Sequence, residues 1–92
     1  MKTKNLFSPT RLGPYTLKNR VVLPPLTRSR SSQPGDIPNE LMAEYYAQRS
    51  SAGFMVTAGT QIEPRGQGYA WTPGIYSSRQ VEGWKKVTRA VH

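Results

Sequence analysis

Few side chains in this 92-residue sequence could carry out nucleophilic or metal chemistry. The sequence contains no cysteine, which excludes disulfides, thiolate metal sites and a cysteine nucleophile. The single histidine is His92, the last residue of the sequence, so a histidine-based metal cluster or catalytic triad cannot assemble from these residues. We therefore predict no metal site in this chain.

A formal net charge of +8, with an isoelectric point near 10.3, raises the question of an acidic partner. Strongly basic proteins often bind nucleic acid. Here the 13 lysines and arginines are spread along the whole chain, and no RNA-binding motif accompanies them. The tightest groups are Arg28 with Arg30, and Lys85 with Lys86 and Arg89. A small basic protein that binds nucleic acid or another acidic partner is therefore an alternative hypothesis, and the charge is its only support in the sequence.

Hydropathy along the chain argues against a membrane partner. No apolar run approaches the roughly 20 residues that span a bilayer, and no apolar segment of signal-peptide length follows the basic residues 1–5. We expect a soluble, cytoplasmic protein. The hydrophobic content of 36% and the mean hydropathy of -0.62 are low for a compact core, and they fit a marginal domain or a part of a larger one.

The elements that would position a site begin with a hairpin and a strand. Apolar and turn residues alternate over residues 6–17, which predicts a short β-hairpin. Residues 20–23 then contain three consecutive large apolar residues, a pattern typical of a parallel strand that is buried on both faces. Pro24 and Pro25 cannot donate hydrogen bonds to a neighbouring strand, so the strand should end there.

A loop and a helix should follow this first strand. Residues 27–37 are polar, which predicts a long loop. A helix is expected to begin at Asn39, a favourable N-cap residue, and to end at Gly53, a favourable C-cap residue. One face of this helix is apolar and should be buried: Leu41, Met42, Tyr45 and Tyr46.

The second half of the chain repeats this order. Residues 54–58 form another short apolar run, which predicts a buried strand that ends near Gly59. Residues 63–76 are rich in glycine and proline and should form a second long loop. A second helix should begin at Ser77, because Ser77 and Gln80 have the spacing of a capping box.

The alternation of strands and helices predicts an α/β fold with a parallel sheet. Long loops after the strands and a short turn before the second strand suit a (β/α)8 barrel, in which functional loops follow the strands. A doubly wound sheet fits the same pattern, although the first strand is not followed by a glycine-rich phosphate loop. We predict the first two βα units of a TIM (β/α)8 barrel, at residues 20–52 and 53–92, after an N-terminal hairpin. Two units leave a barrel incomplete, so the chain is expected to be the N-terminal portion of one larger domain.

Short segments in a fixed order then carry a family resemblance. They are LFSP at 6–9, LKNRVV at 17–22, PLTR at 25–28, GDIP at 35–38 and LMAEYYAQR at 41–49. They continue with AG at 52–53, TQI at 60–62, GQGYA at 66–70, PGI at 73–75, WKKVT at 84–88 and AVH at 90–92. In this order, over nearly the whole chain, the segments resemble the opening of bacterial Old Yellow Enzyme homologues, especially of the N-ethylmaleimide reductase type.

This resemblance implies a fold, a cofactor and a reaction. The family's (β/α)8 barrel is closed at its bottom by an N-terminal hairpin and holds FMN non-covalently at the C-terminal ends of its strands. NAD(P)H reduces the flavin, which passes a hydride to the β-carbon of an activated alkene such as an enone or a maleimide. The implied function is that of an FMN-dependent ene-reductase acting on a small-molecule substrate.

The resemblance also implies which residues face the cofactor and the substrate. Thr27 should place its hydroxyl near an isoalloxazine carbonyl oxygen and border the substrate pocket. Tyr69 matches a tyrosine over that pocket, where it shapes the pocket or donates a hydrogen bond without being the proton donor. The implied cofactor-binding residues are Pro24, Pro25, Leu26, Thr27 and Gly59.

Each of these residues also has a purely structural interpretation. Thr27 could close an ST-turn, Gly59 could simply end a strand, and Tyr69 could pack within its glycine-rich loop. Arg28 and Arg30 are interpreted as solvated or paired with acids elsewhere. The remaining aromatic residues are interpreted as packing: Tyr45, Tyr46, Trp71 and Trp84.

Two positions beside the expected flavin depart from the family pattern. Pro24 stands where relatives usually have alanine, which stiffens the strand end and removes a backbone N–H. Ala58 and Gly59 replace the usual Glu-Ala pair, which removes an acidic contact.

The family's other functional groups match positions beyond His92. These are the proton-donor tyrosine, the His/Asn pair that binds the substrate, and the residues that hold the FMN phosphate. We therefore expect no catalytic residue in this chain and no activity from the chain alone. A complementing C-terminal fragment would be its partner, and a non-functional remnant with aggregation-prone strand edges is a further alternative.

Overall fold

The computed structural model describes residues 5–92, so residues 1–4, at the start of the basic N-terminal stretch, lie outside the described part of the chain. The first element is a β-hairpin. Strand β1 (Thr10–Leu12) pairs antiparallel with strand β2 (Tyr15–Leu17), and Thr10 lies opposite Leu17. The predicted hairpin is confirmed, with narrower bounds than residues 6–17.

A parallel strand pair follows the hairpin. Strand β3 (Val22–Leu23) lies beside strand β4 (Phe54–Met55), with Val22 opposite Phe54 and Leu23 opposite Met55. Both strands are shorter than predicted. The expected burial on both faces is wrong, because Val22 is 52% exposed and Phe54 is 39% exposed. Leu23 and Met55 point to the other face and pack against the helical core, so within residues 5–92 only one face of this sheet is covered.

Helix α1 (Glu40–Ala47) begins as the sequence predicts. The side chain of Asn39 accepts a hydrogen bond from the Met42 amide at 3.0 Å and thereby caps the helix. The predicted end at Gly53 is wrong, because the C-cap residue is Gln48 and turns separate it from β4. After Gln48, hydrogen bonds between residues three apart replace the helical pattern, as between the Arg49 amide and the Tyr46 carbonyl at 3.1 Å.

Gly53 is needed for strand pairing and not for helix termination. Its amide donates to the Val21 carbonyl at 2.9 Å, immediately before β4. A Cβ atom at this position would collide with the Asn19 backbone carbonyl oxygen. The residue therefore lets the two chain segments approach closely at the entry to the parallel pair.

Helix α2 (Ser78–Val91) begins with the predicted capping box. The Ser77 hydroxyl accepts from the Gln80 amide at 3.2 Å, and the Gln80 side chain accepts from the Ser77 amide at 3.0 Å. Within α2, Gly83 has a lower helix propensity than alanine by about 1 kcal/mol. In the structure it faces Pro38, where a Cβ atom would collide with the Pro38 carbonyl oxygen, so its small size permits close packing of the helix on the first loop.

The core lies between the two helices. Its buried members are Met42, Ala43, Tyr46, Trp84 and Val87. The prediction that Tyr46 and Trp84 are packing residues is confirmed, whereas Leu41, predicted to lie on the buried face of α1, is 57% exposed. The Trp84 ring N–H also donates to the Gly74 carbonyl at 3.0 Å, which fixes the end of the second long loop to α2. That loop, predicted as irregular, contains one turn of 3-10 helix (Pro64–Gly66).

The described part of the chain is open and elongated. Its radius of gyration is 15.4 Å and its extents are 56 × 22 × 22 Å, whereas a compact domain of this length has a radius of about 12 Å. In residues 5–92, no helix is long and apolar enough to cross a membrane. The order of hairpin, strand, helix, strand and helix agrees with the predicted α/β organisation, and two parallel strands cannot close a barrel.

Candidate functional site

The parallel pairing of β3 and β4 brings the predicted cofactor-binding residues to one edge of the sheet. Because the strands run in the same direction, the segments that leave them emerge side by side. All five predicted residues are exposed there: Pro24, Pro25, Leu26, Thr27 and Gly59. Within residues 5–92 the Thr27 hydroxyl makes no hydrogen bond, so the alternative of an ST-turn is not observed.

Tyr46 fixes the segment that leads to Gly59. Its hydroxyl, on helix α1, accepts a hydrogen bond from the Ala58 amide at 2.9 Å. Ala58 lies beyond the last paired residue of β4, so this amide would otherwise lack a partner. Burial raises the pKa of the Tyr46 hydroxyl above its ordinary value of 10.0, with the Ala58 amide acting in the opposite direction. The sequence indicates a packing role for Tyr46, but no local pattern indicates this hydrogen bond.

Gln61 and Thr72 connect the two ends of the second loop. Gln61 is 7% exposed and Thr72 is 5% exposed. The Gln61 side chain donates to the Thr72 carbonyl at 2.9 Å and accepts from the Thr72 hydroxyl at 2.9 Å. These buried polar residues were not singled out from the sequence. The TQI segment held Gln61, but no local pattern indicated its partner eleven residues away.

The second loop is also bonded to the first. The Ser31 hydroxyl donates to the Trp71 carbonyl at 2.7 Å, and the Gly74 amide donates to the Asp36 carbonyl at 3.0 Å. On helix α2, the Gln80 side chain donates to the Gly35 carbonyl at 2.8 Å. The two loops therefore form one connected unit beside the strand ends.

Two aromatic residues of the second loop extend from this unit into solvent. Tyr69, predicted to border the substrate pocket, is 72% exposed. Trp71, predicted as packing, is 59% exposed, so that prediction is wrong. Trp71 has a φ of 64°, in the left-handed region that is unfavourable for a bulky residue.

A cavity of about 250 Å³ lies next to the predicted residues without including them. Its lining includes Arg28 and Ala58, the immediate sequence neighbours of Thr27 and Gly59, together with Tyr45 and Tyr46. Arg28 is exposed, as predicted, and its guanidinium lies 5.4 Å from the centre of the Tyr45 ring. Arg30 is also exposed and donates to the Arg28 carbonyl at 2.8 Å.

The chemistry that the described residues offer is binding and not bond breaking. Within residues 5–92, no group of three or more His, Cys, Asp or Glu side chains is placed to hold a metal ion. The strand ends provide exposed apolar surface, backbone groups and a hydroxyl. Such a surface can bind a ligand through apolar contact and a few hydrogen bonds.

Comparison with known proteins shows the family of the chain. Residues 5–92 match the model of the NADH:flavin oxidoreductase / NADH oxidase family. The chain belongs to this family. The flavin oxidoreductase hxnT of Emericella nidulans is 48% identical over 91 residues, which are 95% of this chain and 24% of that protein. The 12-oxophytodienoate reductase 7 of Oryza sativa subsp. japonica is 45% identical over 92 residues, with 99% of this chain and 23% of that protein covered.

Solved structures of the family superpose on this chain. Morphinone reductase in complex with tetrahydroNAD matches with a TM-score of 0.90 and 47% identity, over 98% of this chain and 24% of that protein. The old yellow enzyme homologue from Zymomonas mobilis matches with a TM-score of 0.88 and 49% identity, over 95% and 24% respectively. The resemblance to Old Yellow Enzyme is confirmed, and the chain spans about a quarter of the length of these relatives. Its two βα units correspond to part of their TIM barrel.

Proposed function

We propose that this chain provides part of the FMN-binding end of an NAD(P)H-dependent ene-reductase. The observation that supports it most is the parallel register of β3 and β4, which brings residues 24–27 and Gly59 to one exposed edge in a chain of a flavin oxidoreductase family. When bound, FMN would supply hydride transfer from NAD(P)H to an activated alkene. The roles of the individual residues follow from the chemistry of that edge.

The exposed edge fits one side of an isoalloxazine ring. The ring is flat and largely apolar, with hydrogen-bonding groups along its rim. Pro24, Pro25 and Leu26 offer apolar contact, and the Thr27 hydroxyl can donate a hydrogen bond to a rim carbonyl. At Gly59, an added Cβ atom would meet nothing within 4 Å, so the position leaves space for a ligand to approach the backbone.

The missing N–H groups limit how this edge can bind the ring. Proline has no backbone N–H, so neither Pro24 nor Pro25 can donate to the flavin. The donors that remain in this segment are the amides of Leu26 and Thr27 and the Thr27 hydroxyl. We infer that Thr27 provides the main polar contact of the segment, while the prolines hold its backbone extended.

Substrate contact from this chain is assigned to Thr27 and Tyr69. The Tyr69 phenol lies on the anchored second loop and is free to donate a hydrogen bond to a small alkene. We place the proton donor, the substrate-binding His/Asn pair and the phosphate-binding groups outside these 92 residues. The chain alone should therefore be inactive and should need a complementing C-terminal portion of the barrel.

Nucleic-acid binding has no support beyond the net charge. The ion pairs of the described part are exposed, such as Lys85 with Glu82 at 3.1 Å. Exposed pairs of this kind contribute little to stability or recognition. The small-molecule oxidoreductase function is the one supported by family, fold and edge geometry together.

Complementation tests the proposed function. The chain would be mixed with the remaining three quarters of a relative's barrel, FMN and NADPH, and N-ethylmaleimide-dependent NADPH oxidation would be followed. We expect activity only when both parts co-elute, with Thr27→Val weakening flavin binding in the assembly and the hairpin variant Thr16→Val leaving it unchanged. A co-eluting assembly that binds no flavin, or activity from the chain alone, would refute the proposal.

A further inference from the structure

The second loop has exposed aromatic residues, while the buried side chains of Gln61 and Thr72 at its two ends are polar. Residues 62–71 include Tyr69 and Trp71, both mostly exposed, and no apolar cluster of the described residues lies beneath them. A loop without an apolar base should move on a fast timescale unless hydrogen bonds hold it. The bonds that hold this loop converge on Gln61 and Thr72.

All four hydrogen-bonding groups of Gln61 contact the far end of the loop. Its amide donates to the Pro73 carbonyl at 3.2 Å, and its carbonyl accepts from the Ile75 amide at 3.0 Å. Its side-chain amide bonds the carbonyl and the hydroxyl of Thr72, both at 2.9 Å. One residue therefore closes the loop through backbone and side chain together, with its polar atoms removed from water.

Thr72 also forms a hydrogen bond with the backbone of Tyr69. Its hydroxyl oxygen lies 2.9 Å from the Gln61 side-chain oxygen and 3.1 Å from the Tyr69 carbonyl oxygen. A hydroxyl has a single proton, so these two acceptors share it. The Tyr69 backbone is thus held directly by a residue that is almost fully buried and cannot itself touch a ligand in the pocket.

The same loop is held at Trp71 from the other side. Both the amide and the hydroxyl of Ser31 donate to the Trp71 carbonyl, at 3.2 Å and 2.7 Å. These two bonds stabilise a backbone conformation that a tryptophan rarely adopts, with a φ of 64°. Strained conformations that the surrounding structure maintains often occur at functional sites.

We propose that Gln61, Thr72 and Ser31 are positioning residues that hold Tyr69 and Trp71 in place as one wall of the substrate pocket. The inference rests on the proposed function only in the identity of the pocket that this wall borders. The three residues act through the loop backbone and make no contact with substrate. Trp71 becomes a second aromatic residue of the wall, beside Tyr69.

The backbone dynamics of the chain, measured by NMR relaxation without any flavin, test the positioning directly. Thr72→Val has nearly the shape of threonine but lacks the hydroxyl, and Thr72→Ser keeps the hydroxyl as a matched control. In Thr72→Val the order parameters of Tyr69 and Trp71 should fall from about 0.85 to below about 0.6, while those of α2 stay unchanged. Thr72→Ser should behave like the unmodified chain.

A second variant tests the same inference independently, in case Thr72→Val does not fold. Ser31→Ala removes one of the two bonds to the Trp71 carbonyl, and it should loosen Trp71 while leaving Tyr69 ordered. In a catalytically active assembly with a complementing barrel portion, Thr72→Val should raise the KM for N-ethylmaleimide several-fold with unchanged FMN retention. Order parameters that stay at their original values in both variants would overturn the inference, as would a uniform loss of order that includes α2. Neither outcome depends on whether the chain binds flavin.

Discussion

At the scale of single residues, the Tyr46 hydroxyl joins the helical core to the end of β4. Its ring is part of the core, and its oxygen accepts from the Ala58 amide at 2.9 Å. Ala58 precedes Gly59, so a side chain of α1 determines where the proposed flavin contact lies. The position of this contact therefore depends on helix packing as well as on the short sheet.

Removing this hydroxyl should destabilise the chain. Tyr46→Phe leaves the buried Ala58 amide without an acceptor, which costs about 1–3 kcal/mol of unfolding free energy. The matched control is Tyr15→Phe, because Tyr15 is exposed and its hydroxyl makes no hydrogen bond within residues 5–92. Urea unfolding of both variants measures the difference. Equal stability of the two variants would contradict the assigned role of Tyr46.

The raised pKa of the Tyr46 hydroxyl also predicts a loss of stability at alkaline pH. Burial raises its pKa above the ordinary value of 10.0, so the folded chain retains this proton after the unfolded chain has lost it. The stabilisation is complete below about pH 10 and decreases as the pH rises further. Unfolding free energies from about pH 8 to about pH 11 should fall more steeply for the unmodified chain than for Tyr46→Phe. Parallel curves would show that Tyr46 is not the residue responsible.

Gly59 offers the residue-scale test of the flavin contact. Gly59→Leu should leave folding unchanged, because an added Cβ meets nothing within 4 Å, yet its side chain would occupy the space proposed for the flavin. FMN affinity of the assembled barrel should fall at least about tenfold, which corresponds to about 1.4 kcal/mol. Gly68→Leu is the control, since it adds the same bulk at another open glycine. Similar FMN affinities in the two variants would remove Gly59 from the site.

At the scale of secondary-structure elements, the variant Gly83→Ala separates the effect of helix propensity on stability from the effect of packing. Propensity alone predicts that Gly83→Ala stabilises α2 by about 1 kcal/mol. However, a Cβ atom at this position would collide with the Pro38 carbonyl oxygen. This collision predicts the opposite result, a decrease of about 1–3 kcal/mol in the free energy of unfolding. The exposed position Arg79 provides the control Arg79→Ala, with an expected change within about 0.5 kcal/mol. Thermal unfolding followed by circular dichroism decides the sign.

Elements that depend on local signals were predictable from the sequence. Asn39 and Ser77 begin their helices as expected, because an N-cap involves only residues within one turn. The end of α1 was not predictable, since Gly53 serves the approach to Asn19, a contact across 34 positions of sequence. The Gln61–Thr72 pair and the Tyr46–Ala58 bond were missed for the same reason. The residues of the proposed site itself came from family resemblance, and their roles remain predictions.

At the scale of the whole molecule, an uncovered sheet face predicts self-association. Val22 and Phe54 expose apolar surface beside unpaired strand edges, which favours contact between copies of the chain. Sedimentation velocity on the chain alone should show association that increases with concentration. Val22→Lys should reduce it, and Arg79→Lys should leave it unchanged. A monomer with a sharp cooperative melt would show that the chain is stable without further covering.

The flavin spectrum of the purified chain tests the central claim most directly. The chain would be incubated with FMN, alone and together with the complementing part of a relative's barrel, and its visible absorbance recorded after free flavin is removed. We predict a colourless chain and a complementing part that binds little flavin by itself, with a yellow assembly that retains about one FMN per pair, as expected for a single barrel. A folded, co-eluting assembly that remains colourless would contradict the claim that this chain forms part of a flavin site.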